Sequence, residues 1–235
     1  MLRYIYADHL SDFPALSHSM FRDRATQFVD RLGWDIGVDA NGEERDEYDA
    51  LNPLYVIWEL PDGRHGGSMR FLPSTGPIMV NDHFGHILDG TTIQSPLIWE
   101  CTRFCLSPNA DRRAAAALVL GAGEVMKRFS LNHYVGVFDP RMERIYRLYG
   151  VTPDVIGCQG EGADRIAVGL WEMQQDAWPK TFARLGITAA QSDAWFKASR
   201  DTLRAKIPPQ PDAPSGPSCR APVGSRHDTA SHPIF

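Results

Sequence analysis

The chain has 235 residues, enough to bury one full core or two small ones. Apolar residues make up 43% and charged residues 23%, ordinary globular usage, and the net charge of −5 excludes a general nucleic-acid binder, which carries a basic excess. No apolar run approaches the ~18 residues of a membrane span, and MLRYIYADHL meets Asp8 too early for a signal peptide, so a cytoplasmic protein without membrane or nucleic-acid partners is expected.

Leu2 to Tyr6 reads as an opening strand, and a helix is expected from about Pro14 to Phe28 with Leu16, Met20 and Phe21 inward. Asp35 to Asn52 is acidic and turn-rich. Tyr55–Leu60 and Gly67–Leu72 read as strands joined at Pro61-Asp62-Gly63, a hairpin signal. Residues 73–96 are irregular, and Leu97–Leu106 is the strongest strand. Ser107-Pro108 has the form of a helix start, Ser capping and Pro at the first position, ahead of an apolar stripe at Leu118, Ala122, Val125 and Phe129. Tyr134–Phe138 is a strand, and Asp139-Pro140 opens a helix that stops at Gly150. Ala167–Trp171 is a late strand, and Thr188 to Gln191 has the capping-box form before a last helix to about Lys206. From Ile207 onward periodicity ends, and 7 of the 17 prolines fall in the last 29 residues, which predicts a disordered tail at 207–235 behind a single domain at 1–206. Strands and helices alternate through the second half, which predicts a three-layer α/β domain with a mixed sheet.

Cys101, Cys105, Cys158 and Cys219 lack CxxC spacing, so reduced thiols are expected, with Cys101 and Cys105, four apart in a strand, on one face. His83 and His86 have no third ligand beside them, so no metal site is expected. There is no GxSxG, no Ser, His and Asp grouping that suggests a hydrolase, no P-loop and no GxGxxG.

Charge within apolar runs is the strongest chemical signal. Arg70, Glu100 and Arg103 each interrupt a strand-like stretch, where a charge is costly unless it is paired or used. Residues 1–60 hold twelve acidic residues against five arginines, concentrated at Glu43, Glu44, Asp46, Glu47 and Asp49. That segment is either a solvated turn or a carboxylate wall for a cationic ligand. Residues 109–150 reverse the sign, with seven basic residues against four acidic ones. Arg112, Arg113, Lys127 and Arg128 among them are either solvated or a docking face for an acidic carrier or a phosphate-bearing thioester.

The ordered set of motifs resembles the acyl-homoserine lactone synthases, the autoinducer synthases of bacterial quorum sensing. It consists of Arg24, Phe28 and Trp34 in RxxxFxxRLGW, then Glu44, Asp46 and Asp49, Arg70-Phe71, Phe84, Glu100-x-Thr102-Arg103, and the helix MERIYRLYG from Met142 to Gly150. The resemblance covers about residues 1–185. It implies a three-layer α/β/α sandwich with a mixed, mostly antiparallel sheet, similar to the GCN5-related N-acetyltransferase fold. It also implies two substrates, S-adenosylmethionine and an acyl thioester of acyl-carrier protein or coenzyme A, and no separate cofactor.

By carry-over, Arg24, Phe28, Trp34, Asp46, Asp49, Phe84 and Thr102 belong to the S-adenosylmethionine side, and Arg70, Glu100 and Arg103 to the catalytic centre. Glu100 is the candidate base, acting directly or through a water. Asp46 and Asp49 either hold Arg24, Arg70 or Arg103 or face the substrate's positive charge. Gly136 and Met142 fall in the acyl pocket. Family members that make 3-oxo products usually carry Thr where Gly136 stands, so an unsubstituted or 3-hydroxy chain is expected.

Glu100 and Arg103 lie three apart, so a regular strand would point them to opposite faces. Either a bulge falls between Trp99 and Phe104, or Arg103 serves another wall. The competing readings are a GCN5-like N-acyltransferase acting on another amine and a non-catalytic sensor of S-adenosylmethionine or acyl-carrier protein. The first is disfavoured by the turn at Ser107 to Arg112, which lacks the glycines that cradle a pyrophosphate, and the second by the presence of Glu100 and Arg70.

Overall fold

The computed structural model describes residues 1–172 and 177–204. The expected tail at 207–235 lies outside the described residues, and the last helix, expected to run to about Lys206, ends instead at Ala198, where Ser199 caps it and turns follow. The strands are β1 (Leu2–Tyr6), β2 (Leu54–Glu59), β3 (His65–Pro73), β4 (Ile98–Leu106), β5 (His133–Phe138), β6 (Asp154–Gln159) and β7 (Ile166–Glu172). They form one seven-stranded sheet in the order β1-β2-β3-β4-β5-β7-β6. Every neighbouring pair is antiparallel except β4 with β5. The sheet is therefore mixed and mostly antiparallel, as expected.

Helices cover both faces. α1 (Pro14–Ala25) starts on a proline at its first turn and buries Leu16, Met20 and Phe21 against Ile5, Tyr55 and Ile57. It widens into a π-helical stretch, Thr26–Arg31, which ends as Trp34 N donates to Phe28 O. The short α2 (Met79–His83) lies within residues 73–96, which had read as irregular, and its Val80 packs with Leu72, Val135 and Val168. On the opposite face, α3 (Ala114–Arg128) buries Leu118 and Val125 against Leu2, Val56, Met69 and Phe71. α4 (Pro140–Tyr149) is capped by Asp139 and stops at Gly150, where φ is +69°, as the sequence predicts. α5 (Ala177–Leu185) and α6 (Ala189–Ala198) complete that layer, and Thr188 Oγ1 accepts from Gln191 N at the start of α6. Among the described residues, no helix is long and apolar enough to cross a membrane.

Two features of β4 position the site. Its parallel pairing with β5 covers only Ile98–Glu100 against His133–Val135, and beyond it the strands part. Just past that point, Arg70 pairs with Thr102 but Ser68 pairs with Cys105, so β4 carries one extra residue. Arg103 is that bulge, with φ at +54°. A left-handed backbone at a non-glycine residue costs about 1–2 kcal/mol. The insertion reverses side-chain parity along β4. Trp99 and Cys101 face α3 before it, and Phe104 and Leu106 do so after it.

The bulge corrects one expectation, because Cys101 contacts Met69 on the α3 face while Cys105, past the bulge, faces the α1 side near Asp23 and Arg24. The helix start at Ser107-Pro108 is also corrected. Ser107 holds a turn instead, accepting from Asn109 N at its side chain and from Ala110 N at its carbonyl, and α3 begins at Ala114 without a side-chain cap. β6 and α5 were not anticipated.

α3 crosses β2 closely, and a Cβ at Gly121 would overlap Val56 Cγ1. Gly121→Ala is expected to lower stability by about 1–3 kcal/mol through overpacking, measured by urea denaturation. An unchanged midpoint would mean that α3 has room to shift.

Candidate active site

The polar centre is a closed set of three arginines and three carboxylates on the α1 side of the sheet. Arg24, from α1, gives Asp49 two bonds of 3.0 and 2.9 Å and donates through Nε to Glu44 at 2.5 Å. Arg70, from β3, donates to both oxygens of Asp46, to Asp49 at 2.9 Å, and through Nε to Thr102 Oγ1 at 3.1 Å. Arg103, turned by the bulge to this same face, meets Glu44 at 3.0 Å and Asp46 at 2.7 Å. Tyr55 adds a bond to Asp49 at 2.5 Å. Arg24, Arg70 and Glu44 are fully buried. Burial opposes ionisation of Asp49, but Arg24 and Arg70 outweigh it and hold this carboxyl far below the usual carboxylate range.

The chain folds locally to deliver these groups. Asp46 caps a 3-10 turn at Glu47–Leu51 by accepting from Tyr48 N and Asp49 N, while Asp49 accepts back from Asp46 N. One reciprocal box thus fixes both carboxylates that face Arg70. Of the two roles left open for Asp46 and Asp49, the geometry supplies the first: both hold arginines. Arg24 pairs with Glu44 and Asp49, and Asp46 with Arg70 and Arg103. Glu44 had been counted with the acidic turn, yet it joins Arg24 to Arg103.

Glu100 stands apart from this network. Its two carboxylate oxygens accept from Met79 N at 3.0 Å and Val80 N at 2.7 Å, at the start of α2. Burial pushes its pKa up to about 6, against those two amide bonds.

A cavity of about 1100 Å³ runs through the opening between β4 and β5. Its polar end is lined by Phe28, Trp34, Glu44, Asp46, Thr102 and Arg103, and Phe84 also borders it. Phe28 and Trp34 lie parallel, with ring centroids 4.9 Å apart and 8° between planes, and Trp34 is 42% exposed. The Arg103 guanidinium sits 5.5 Å from the Phe28 ring. On the α3 side the cavity is apolar, walled by Met126, Tyr134, Phe138, Met142, Tyr146 and Trp171. A polar chamber joined to an aromatic tunnel suits a small charged molecule meeting a long apolar one.

Arg70 and Glu100 sit behind the cavity wall rather than on it. Gly136 is likewise off the wall. It lies under the Cys101 carbonyl, 2.8 Å from where a Cβ would stand, while Val137 and Phe138 beside it face the cavity.

The structure does not gather the four expected docking residues. Arg112 and Arg113 precede α3 and Lys127 and Arg128 end it, about 20 Å apart along a helix of that length. Arg113 pairs with Asp111, Arg128 with Glu124 and Asp193, and Lys127 lies 5.9 Å from the Trp178 ring.

The fold also assembles an Asp-His-Ser chain that sequence reading did not find. His65 Nδ1 meets Asp23 at 2.7 Å and its Nε2 meets Ser68 Oγ at 2.9 Å. Burial drives the His65 pKa down despite Asp23, and Ser68 is 2% exposed and away from the cavity, so this chain is structural. Among the described residues, no cluster of His, Cys, Asp or Glu is arranged to hold a metal, and His83 and His86 contact Glu47 and Gln159.

Residues 10–177 match the autoinducer synthase family. An acyl-homoserine-lactone synthase of Rhizobium etli is 37% identical over 183 residues, spanning 75% of this chain and 86% of that one. One from Agrobacterium fabrum is 35% identical over 204 residues, spanning 80% and 96%. The solved structure of a CoA-dependent acyl-homoserine lactone synthase, BjaI, with SAM and isopentyl-CoA, shares the fold. It has a TM-score of 0.70 at 19% identity over 83% of this chain and 99% of that one.

Removing one partner from a buried charge network leaves the others uncompensated. Arg24→Met is expected to cost about 3–5 kcal/mol, while Arg113→Met, at the exposed pair with Asp111, costs at most about 1 kcal/mol. Urea denaturation of both variants measures the difference, and equal losses would mean that the network contributes no more than a surface pair.

Proposed function

The chain belongs to the autoinducer synthase family, and from that premise we propose how its site works. It is an acyl-homoserine lactone synthase, an acyltransferase. S-adenosylmethionine is proposed to bind at the polar end of the cavity as a substrate, with no separate cofactor, and the acyl chain to lie in the aromatic tunnel. The observation that carries this assignment is the single cavity that joins the arginine–carboxylate centre to an apolar lumen through the β4–β5 opening.

The chemistry follows from the two ends. The methionyl amine attacks the thioester carbonyl, the new C–N bond forms, and the carrier thiol leaves with a proton. An α-amino group has a pKa of about 8, so a proton acceptor is needed near neutrality. The substrate carboxylate then attacks the carbon beside the sulfonium, closing the lactone and releasing methylthioadenosine. This second step needs little beyond positioning, because the sulfonium is already a good leaving group.

Glu100 is proposed as the proton acceptor. Because its carboxylate lies behind the wall, the route runs through a water rather than by direct contact. Each oxygen holds one amide bond and has a lone pair left. Thr102, on the wall and tied to Arg70, is proposed to border the same water path. Arg24, Arg70 and Arg103 with their carboxylates form the rigid floor, and Trp34, stacked on Phe28, is proposed to present its outer ring face to the sulfonium. Phe84, which also lines the cavity, is proposed to border this chamber.

The donor is proposed to be a thioester of acyl-carrier protein or coenzyme A, which places the reaction in the cytoplasm. The scattered positions of Arg112, Arg113, Lys127 and Arg128 speak against one carrier-docking face built from them. The acyl chain itself is proposed to be unsubstituted or 3-hydroxylated. A side chain at 136 would press on the Cys101 carbonyl, so no hydroxyl stands there to meet a 3-oxo group.

Mass spectrometry of the protein with S-adenosylmethionine and a panel of acyl-carrier-protein and acyl-CoA thioesters is expected to find methylthioadenosine and an acyl-homoserine lactone formed together. Acyl transfer without methylthioadenosine would remove the lactonising half of the reading. In competition, the unsubstituted or 3-hydroxy thioester is expected to be used ahead of its 3-oxo counterpart, and the reverse order would sink the Gly136 argument.

With a pKa raised to about 6, Glu100 is ionised and able to accept a proton above that pH and loses the ability below it. kcat/KM should therefore fall as pH drops through about 6, and Glu100→Gln should lower it roughly 10²- to 10⁴-fold and abolish that limb. A loss that keeps the limb would assign Glu100 only to holding Met79 and Val80.

A further inference from the structure

Resting on the synthase reading, we infer that the contact between Gly123 of α3 and Trp178 of α5 is the end stop of the acyl tunnel and sets the longest chain the enzyme accepts.

Both residues line the cavity on the α3 face of the sheet, the face opposite the arginine network. Gly123 has no side chain to hold the indole off. A Cβ there would lie 3.0 Å from Trp178 Cζ2 and 3.5 Å from Cε2 and Cη2. The indole therefore rests against the α3 backbone. Phe182, one turn further along α5, lies 5.7 Å from it, and the Lys127 ammonium stands 5.9 Å from its centroid. A ring fixed on three sides is a hard stop, and it is the largest side chain that α5 presents to the cavity. The remaining wall comes from strands and helices packed into the main core, where Tyr134 and Leu120 are buried. Length selection thus falls to one large side chain against one absent side chain.

Neither residue belongs to the polar centre, so changing them should alter which thioester is used without altering how S-adenosylmethionine is held. One methylene in an apolar pocket is worth roughly 10- to 200-fold in discrimination.

The test uses the full chain with straight-chain acyl thioesters lengthened two carbons at a time, on whichever carrier the wild type accepts. Product ratios are read by mass spectrometry, KM for S-adenosylmethionine is measured in parallel, and folding is checked by circular dichroism. Trp178→Ala is expected to raise the kcat/KM ratio of the next longer thioester to the wild-type optimum by about tenfold or more. Gly123→Leu, which puts bulk into the same space, is expected to shift preference toward shorter chains. KM for S-adenosylmethionine should stay within about twofold in both.

A uniform loss across all lengths, or an unchanged profile in a folded Trp178→Ala protein, overturns the inference. Should that variant fail to fold, Trp178→Phe is expected to give a smaller shift in the same direction, and no shift there overturns the inference equally. A wild type that makes no lactone from any thioester overturns the synthase reading and this inference with it, whereas turnover with unmoved profiles overturns this inference alone.

Discussion

Three guanidinium groups buried beside three carboxylates are the constraint around which the rest of the molecule is arranged. None of these charges could be buried alone, since an isolated ion in a low-dielectric interior is prohibitively costly. Together they are neutral, and each guanidinium spans two carboxylates: Arg24 joins Glu44 to Asp49, Arg70 joins Asp49 to Asp46, and Arg103 joins Asp46 to Glu44. The ring closes on itself, so each element that brings a member is tied to two others. α1, the turn at Glu47–Leu51, β3 and β4 are held in register by this closure as well as by apolar packing. The strained backbone at Arg103 fits the same logic. Its cost is of the order of one hydrogen bond to a charged group, and Arg103 makes several with Glu44 and Asp46.

Sequence reasoning succeeded where a residue violates its local pattern. Arg70, Glu100 and Arg103 stood out because a charge in an apolar strand demands a partner, and of the two readings open for the spacing of Glu100 and Arg103, a bulge or a separate wall, β4 supplies the bulge. Asp139, Pro140 and Gly150 were legible because cap, first-turn proline and left-handed stop act within a few residues. The same rules failed at Ser107-Pro108, where the cap chemistry is satisfied inside a turn before any helix begins. β6 carries no alternation to read, being an edge strand exposed along most of its length. Cys101 and Cys105 were put on one face by assuming a regular strand, although the bulge expected for Arg103 already implied the opposite. The apolar spacing of Trp178, Phe182 and Leu185 was present in the sequence and would have announced α5.

The partners that most change the meaning of the site are contributed at long range. Glu44 was visible as one acid among several, and only the fold shows that it bridges Arg24 and Arg103. Glu100 looked like a strand residue pointing at a substrate, yet its carboxylate caps the start of α2 through two backbone amides. Periodicity gives the face on which a side chain lies but not what comes over that face from twenty residues away. Arg128 likewise reaches Asp193, 65 residues away, a partner that local charge counting cannot assign, whereas Glu124 is a neighbour on its own helix.

A ring of charges that is neutral and fully paired has a consequence for catalysis of the proposed kind. Its groups spend their hydrogen bonds on one another, so they serve a substrate through fixed position more than through free charge. A cationic sulfonium entering beside such a floor meets little net field, and the attraction on offer comes from the outer ring face of Trp34, which Phe28 backs from behind. Rigid placement of that kind suits a reaction whose second step is an intramolecular displacement with a good leaving group, where orientation supplies most of the acceleration. The bulge at Arg103 is then the device that makes both halves compatible. By reversing parity in the middle of β4 it sends Thr102 and Arg103 to the polar chamber, and it sends Cys101 and Phe104 to the apolar tunnel. One strand thereby serves both ends of a cavity that crosses the sheet.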